Sequence, residues 1–332
     1  MKKITKKAII TKRTDKNFWK SLKKPFFVLA PMANVTDYAF RTIITKYGKP
    51  DVIWTEFVSA DGLMSAGQKK LLFDLQYSNK ERPIVAQLFT GHPEIMKEAA
   101  VLIGELGFDG LDINMGCPDR AVEKQGGGAS LMKNPKLAID VLNAARSGLE
   151  DFLIPVSVKT RLGYNKIDLD WIRLLLEQKL PALTIHLRTR KEMSDVPAHW
   201  ETMTEIVKMR NEISPETLII GNGDIDSLRS AREMIEKYGC DGVMIGRGIF
   251  GKPWLFDRKI KGSSIMKTPE ERLNILLEHT KLFEKTFKGK KNFDVMKKHF
   301  KAYVSVWDGA KELRIQLMNA KNAKEVSQII RK

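Results

Sequence analysis

Leu111-Asp-Ile-Asn-Met-Gly-Cys-Pro118 joins a short strand to an abrupt turn. Gly110 to Ile113 is apolar with one acid and reads as a buried strand. Asn114 to Pro118 ends it, because Gly and Pro stop regular pairing. The thiol of Cys117 then sits at the C-terminal end of a strand, where parallel α/β sheets and barrels carry their chemistry. Beyond it, Lys124-Gln-Gly-Gly-Gly-Ala-Ser130 provides a backbone that a ligand can approach closely. A single Cys is more often a buried structural thiol. The turn around this one, and what recurs along the chain, favour chemistry.

Working outward, short hydrophobic strands alternate with helical stretches on both sides. Strands centred near Val28, Ile53, Val85, Leu111, Val158, Thr184, Ile219 and Val243 make a set of eight. This is the number that closes a (β/α)8 TIM barrel, so the fold class is α/β. An open doubly wound sheet is the alternative, but no glycine-rich dinucleotide fingerprint follows the first strand. After Phe256 the pattern becomes helical, as in Leu273, Leu276 and Leu277, then Met296, Phe300 and Tyr303. The expected organisation is a basic N-terminal arm over 1–24, a barrel over 25–256, and a linker with a small all-helical domain over 257–332.

The chain has 332 residues, 43% of them hydrophobic, which suffices for a large core. No apolar run is long enough for a membrane span or a signal peptide. Two cysteines, Cys117 and Cys240, are too few for a disulfide framework, so a reduced, cytoplasmic protein is expected. The net charge of +17 points to a polyanion such as RNA, DNA or an anionic membrane surface. In the helical part, Lys288, Lys290, Lys291, Lys297, Lys298 and Lys301 interleave with Phe287, Phe293, Phe300 and Tyr303. Such a pattern suits phosphate contact and base stacking. It equally suits a solvated helical face over core aromatics.

Other strands also finish in polar or reactive groups: Met32, Gln87, Asn114 with Cys117, Lys159 with Arg161, His186 with Arg188, Asn222, and Arg247. Gly221-Asn-Gly-Asp224 and Gly246-Arg-Gly248 end the seventh and eighth strands, the usual phosphate-binding corner of a barrel. A phosphorylated ligand is therefore expected. Lys159, His186 and Gln87 can engage a flat, acceptor-rich ring beside it, which fits flavin mononucleotide, with a nucleotide or sugar phosphate fitting nearly as well. No His/Cys cluster has metal-ligand spacing, so no metal is expected.

These motifs together resemble the tRNA-dihydrouridine synthase family, of bacterial type. The resemblance rests on Ala30-Pro-Met-Ala33, Gln87-Leu-Phe89, Asn114-Met-Gly-Cys-Pro118, Lys159-Thr-Arg-Leu-Gly163, Ile185-His186, Gly221-Asn-Gly-Asp224, Ile245-Gly-Arg247 and Lys297-Lys-His-Phe300. It runs from about Phe26 to the end. It implies an FMN-dependent barrel, a helical tRNA-binding domain, NADPH as a transient reductant, and reduction of particular tRNA uridines to 5,6-dihydrouridine. By motif, Pro31, Met32, Ala33, Gln87, Lys159, His186, Asn222, Gly223, Asp224, Gly246 and Arg247 hold FMN. Cys117 is the catalytic acid, and Asn114 and Arg188 lie near the substrate. Leu187 stands where the family usually has glycine, and Lys252 where asparagine is common. Both departures bear on which uridine is chosen.

Two rival readings share parts of this pattern. One is an FMN barrel oxidoreductase acting on a small pyrimidine or enone, which leaves the basic helical C-terminus unexplained. The other is a non-enzymatic RNA-binding protein that retains a barrel. No obligate protein partner is evident from the sequence.

Overall fold

A computed structural model describes residues 17–258, 267–305 and 307–331. Residues 1–16 of the expected arm and 259–266 of the expected linker lie outside the described residues. Eight strands form one closed parallel barrel in chain order. They are β1 (Phe26–Leu29), β2 (Val52–Ser59), β3 (Ile84–Phe89), β4 (Gly110–Met115), β5 (Val156–Arg161), β6 (Ala182–His186), β7 (Leu218–Asn222) and β8 (Gly242–Ile245). The helices between them are α1 (Tyr38–Gly48), α2 (Ala60–Leu63), α3 (Gln68–Leu71), α4 (Pro93–Glu105), α5 (Arg120–Lys124), α6 (Pro135–Leu149), α7 (Leu169–Glu177), α8 (Thr202–Ile213) and α9 (Leu228–Tyr238). Then follow α10 (Pro269–Phe287), α11 (Val295–Tyr303), α12 (Ala310–Asn319) and α13 (Ala323–Ile330).

The strands are short because both faces are covered. β1, β3 and β4 are buried along their whole length, as parallel strands under a helical layer must be. Local signals start the helices where the sequence suggests. Asp37 caps α1 by accepting from the Phe40 N–H, and Thr268 with Glu271 forms a capping box on α10. One irregularity matters below. Between β2 and β3 the register passes from Trp54↔Val85 to Phe57↔Gln87, so β2 carries one extra residue around Thr55 and Glu56. Such a bulge re-aims a side chain.

The described part of the arm is firmly docked. Trp19 is 3% exposed and packs inside the barrel floor with Phe26 and Trp54, its ring 5.8 Å from that of Trp54. The strongly basic sequence around it gave no hint of this plug. A groove of about 1090 Å³ opens beside it, lined by Trp19, Lys24, Arg146, Pro155 and Ser214, at the N-terminal end of the strands. That end carries none of the reactive strand-end groups.

The four C-terminal helices do not stand apart. Ala39 and Ile43 of α1 and Trp254 share one apolar core with Leu276, Phe283, Met296, Phe300 and Tyr303. The backbones touch along this seam. A Cβ on Gly251, at φ +69°, would fall 2.2 Å from the Ala302 carbonyl oxygen, and one on Gly48 would fall 2.7 Å from the Asp257 nitrogen. Phe287, Phe300 and Tyr303 are buried core residues, with Phe293 packed against them, so these aromatics are not available for base stacking. Helical periodicity explains it: α11 turns Met296, His299, Phe300 and Tyr303 inward and leaves Lys298 and Lys301 outside. Lys291 also leaves the expected phosphate-contacting cluster, because it is largely buried in ion pairs with barrel carboxylates.

Two histidines lie in the seam. His279 and His299 are fully buried, with ring centroids 4.7 Å apart, and Phe40 of α1 packs against both at 4.9 and 4.6 Å. Their ring nitrogens have no hydrogen-bond partner among the described residues. Burial pushes both well down, His299 to about 3, with His299 adding to the effect on His279 and Lys298 to that on His299. Both rings are therefore neutral in the folded protein, whereas the unfolded chain binds protons near 6.5. Stability falls as pH drops below about 6.5, by about 1.4 kcal/mol per pH unit for each ring that stays neutral in the fold, for His299 down to about 3. The variant His279→Phe should flatten the acid side of a ΔG-against-pH curve from urea titration by about that slope. An unchanged slope would remove His279 from the acid sensitivity.

Candidate active site

The reactive groups expected from the sequence gather at the C-terminal ends of the strands. Strand register sets their levels. Asp112 lies beside Gln87 on one side and Ser157 on the other, and Asn114 lies beside Lys159. Further out, Arg161 pairs with His186 and His186 with Asn222. Six neighbouring strands, β3 to β8, thus bring their last residues to one face, joined by the β1–α1 loop with Pro31, Met32 and Ala33.

A polar chain runs up the barrel interior to the Cys117 turn. Gln87 Nε2 donates to Asp112 Oδ2 at 2.6 Å, and Asn114 Nδ2 donates to Gln87 Oε1 at 3.1 Å. Asn114 Oδ1 then accepts from the N–H groups of Gly116 and Cys117, at 3.1 and 2.9 Å. Both ends are chemically fixed: a carboxylate only accepts and a backbone N–H only donates. The orientation of both amides follows from this. Ser157 Oγ donates to the other oxygen of Asp112 at 2.5 Å. Burial raises Asp112 to about 6, against the pull of these hydrogen bonds and of Lys159. The sequence marks Asp112 only as the one acid in an apolar strand, and its place beneath Gln87 depends on register.

Burial also raises the Cys117 thiol, outweighing nearby Lys159 and Arg161, so the group stays protonated at neutral pH. The glycine loop packs directly on this turn. A Cβ on Gly128, at φ +59°, would fall 2.7 Å from the Cys117 carbonyl oxygen, which accepts from the Ala129 N–H. Arg161 braces the turn from the other side, donating to the carbonyls of Gly116, Thr189 and Met193. Arg161 is therefore a clamp between loops, a role its sequence position did not reveal.

Lys159 is the uncompensated charge of the site. Burial lowers it to about 8, with Arg161 adding to the effect, and among the described residues no carboxylate lies within ion-pairing distance of its Nζ. A half-buried amine without a carboxylate partner suits an acceptor-bearing ligand. His186 is neutral because burial, then Lys159 and Arg161, depress it strongly. Its Nε2 faces Arg188 Nη1 at 3.1 Å, and a guanidinium only donates, so the imidazole proton sits on Nδ1. Asp224 joins two arginines, one carboxylate oxygen accepting from Arg188 and the other from Arg247 at 3.1 Å. The Arg247 side chain is 63% exposed and open to a phosphate. Gly246 has Met32 Sδ 3.7 Å from where a Cβ would be, so the β1–α1 and β8 loops meet. Asn222 is anchored by donating to the Met244 carbonyl, and Gly223 adopts φ +139° against Ala198. A half-buried amine with no carboxylate beside it, a neutral imidazole, an open arginine and a glycine-lined corner fit a phosphorylated, acceptor-rich ring.

The chain is similar to known proteins along nearly its whole length. The family model described as Dihydrouridine synthase (Dus) matches residues 28–332. A probable tRNA-dihydrouridine synthase of Staphylococcus aureus (strain COL) is 42% identical over 318 residues, covering 95% of this chain and 94% of the relative. Probable tRNA-dihydrouridine synthase 2 of Bacillus subtilis (strain 168) is also 42% identical, over 95% of each chain. Among solved structures, morphinone reductase superposes with a TM-score of 0.51 at 13% identity, covering 72% of this chain and 87% of that one. Histamine dehydrogenase from Rhizobium sp. 4-9 gives 0.51 at 13% identity, over 77% and 48%. Those two likenesses concern the barrel fold alone. With the family model spanning nearly the whole chain, and relatives this similar end to end, the chain belongs to the dihydrouridine synthase family.

Proposed function

We propose that this enzyme reduces specific uridines of tRNA to 5,6-dihydrouridine, with FMN as cofactor and NADPH as the transient reductant, in the cytoplasm. The observation that carries the reading is that Cys117 and Lys159 meet at one end of the barrel, where Asn114 pairs in register with Lys159 and accepts from the Cys117 N–H. In this reading residues 25–256 are the catalytic unit, 257–332 the linker and tRNA-binding unit, and 1–24 a basic arm. The exposed Lys288, Lys298 and Lys301 suit RNA phosphates.

Pro31, Met32, Ala33, Gln87, Lys159, His186, Asn222, Gly223, Gly246 and Arg247 would hold FMN, with Arg247 and the two glycines at the phosphate. Asp224 would contribute by orienting Arg247 and Arg188. When bound, FMN in its reduced form supplies hydride to uracil C6. The electron pair of the C5=C6 bond then moves toward C5, where a proton is needed. Cys117 gives its thiol proton to C5 and is reprotonated from solvent. A charged Lys159 favours negative charge on the ring it faces. Asn114 holds the Cys117 turn, and Arg188 keeps His186 in one tautomer. The target base must leave its stack to reach this face.

The test is nucleoside mass spectrometry of tRNA incubated with the protein, FMN and NADPH, where a gain of two hydrogens at a defined uridine is expected. Cys117→Ala should retain FMN and tRNA while turnover falls at least roughly 100-fold. Near-normal dihydrouridine formation by this variant would overturn the proton-donor assignment. Asp112 adds a pH signature. As pH falls through about 6 its carboxylate gains a proton and presents a donor to the Gln87 amide, which disorders the chain beneath Cys117. Turnover should therefore drop on the acid side near pH 6, and Asp112→Asn should lower turnover and abolish that limb. An acid limb that persists in the variant would assign it to another group.

A further inference from the structure

Among the side chains that join the helical unit to the barrel is Lys291, in the turn between α10 and α11. Its Nζ lies 2.6 Å from Glu56 Oε2 and 2.7 Å from Asp74 Oδ1, and its side chain is 14% exposed. The neighbouring Lys290 lies over the Phe73 ring at 3.9 Å, so two successive lysines grip the 73–74 turn. Glu56 belongs to the bulged part of β2 and is 4% exposed. Its second oxygen, Oε1, accepts from the backbone N–H of Asn34. Asn34 sits in the left-handed region at φ +55°, directly after Pro31-Met-Ala33. A continuous polar link thus joins a helical-unit lysine to the turn that shapes the β1–α1 loop.

The surrounding charges make Lys291 the keystone of this link. Burial raises Glu56 to about 7, Lys291 pulls it back, and Asp37 and Asp74 push it further up. Asp37 caps α1 with one oxygen, while its other oxygen is buried with no hydrogen-bond partner among the described residues. Arg41 is engaged with Glu81 at 2.7 Å, which leaves Lys291 to face Glu56 and Asp74. Burial opposes the charge on Lys291, yet the carboxylates around it hold it above the ordinary lysine value. Without that cation, Glu56 would stay buried among like charges and could not remain ionised beneath Asn34.

We infer that Lys291 is a positioning residue that couples docking of the helical unit to the conformation of the β1–α1 loop, so that FMN binding and helical-unit docking stabilise each other. It rests on the reading that Met32 and Ala33 hold FMN. Such a coupling is reciprocal: FMN binding must strengthen docking by the same factor by which docking tightens FMN.

The experiment titrates FMN into full-length apoprotein, following flavin fluorescence, for wild type, Lys291→Met, Lys291→Arg and Lys291→Met/Glu56→Gln. Lys291→Met should weaken FMN binding by roughly tenfold, and Lys291→Arg should restore it by keeping the cation. The double variant should also recover most of the affinity, because the Glu56→Gln change keeps an acceptor for Asn34 without needing a positive neighbour. The defect of Lys291→Met should grow as pH rises through about 7, where Glu56 of the wild type ionises with the help of Lys291 and the variant lacks that help. Hydrogen exchange at the Asn34 amide, measured without FMN, should quicken at least roughly tenfold in Lys291→Met and recover in the double variant. Wild-type FMN affinity and Asn34 exchange in Lys291→Met would overturn the inference, as would a double variant no better than the single one. If wild-type protein takes up no FMN, the proposed cofactor falls, and Asn34 exchange alone decides whether Lys291 positions the loop.

Discussion

A carboxylate that cannot donate, sealed inside the barrel, sets the polarity of everything above it. Asp112 is fully buried, and its two oxygens are satisfied by Ser157 and Gln87. Because it only accepts, Gln87 must present its NH₂ downward and its carbonyl upward. Asn114 must answer with its own NH₂, which leaves its carbonyl for the Cys117 turn. A buried hydrogen-bonded chain with two determinate ends has one low-energy arrangement, since reversing any link leaves an unpaired polar group in a dry interior. The geometry of the reactive thiol is thereby inherited from a residue two layers beneath it.

The same logic of desolvation separates the ionisable groups of the site into two kinds. Cys117 and His186 are kept neutral by burial, and Lys159 stays cationic near neutrality though shifted down to about 8. A site with a protonated acid, a neutral donor and a cation that lacks a carboxylate partner is arranged to receive negative charge. Arg188 and Arg247 share Asp224 at the outer rim, where exposure is greater and the charge can be offered to a phosphate. The gradient runs from a dry interior to a wet, positive edge, and on the proposed reading it suits a phosphorylated cofactor with a flat ring.

Much of this was legible in the chain. Runs such as Ile84-Val-Ala-Gln-Leu-Phe89 announce strands buried on both faces, and eight of them with helices between leave few architectures. The position of Cys117 and Lys159 at strand ends on one face was legible from the strand pattern. What could not be read depended on partners far away in sequence. Trp19 looks like part of a basic leader until Phe26 and Trp54 are placed around it. Lys291 sits in a lysine-rich stretch and looks like its neighbours, yet Glu56, 235 residues earlier, removes it from the surface. Phe300 and Tyr303 alternate with lysines in a way that suits base stacking, and only the packing of α11 on α10 decides that they face inward. His279 carried no signal, and His299 stood only as one letter of the Lys297-Lys-His-Phe300 motif, because a buried neutral imidazole has the same letter as a catalytic one.

The glycine seam has a consequence for substrate choice. With Gly251 backbone against the Ala302 carbonyl, and Gly48 against the segment from Trp254 to Asp257, the docked barrel and helices meet backbone to backbone, in one fixed relative position. On the proposed reading, the molecule is then a rigid calliper: one jaw is the lysine-bearing outer face of α11, the other the Cys117 pocket, and the gap between them is constant. An RNA held by one jaw offers the other whichever nucleotide lies at that fixed span. Selection among identical uridines becomes a matter of measured length, and the deformation needed for reaction falls on the RNA.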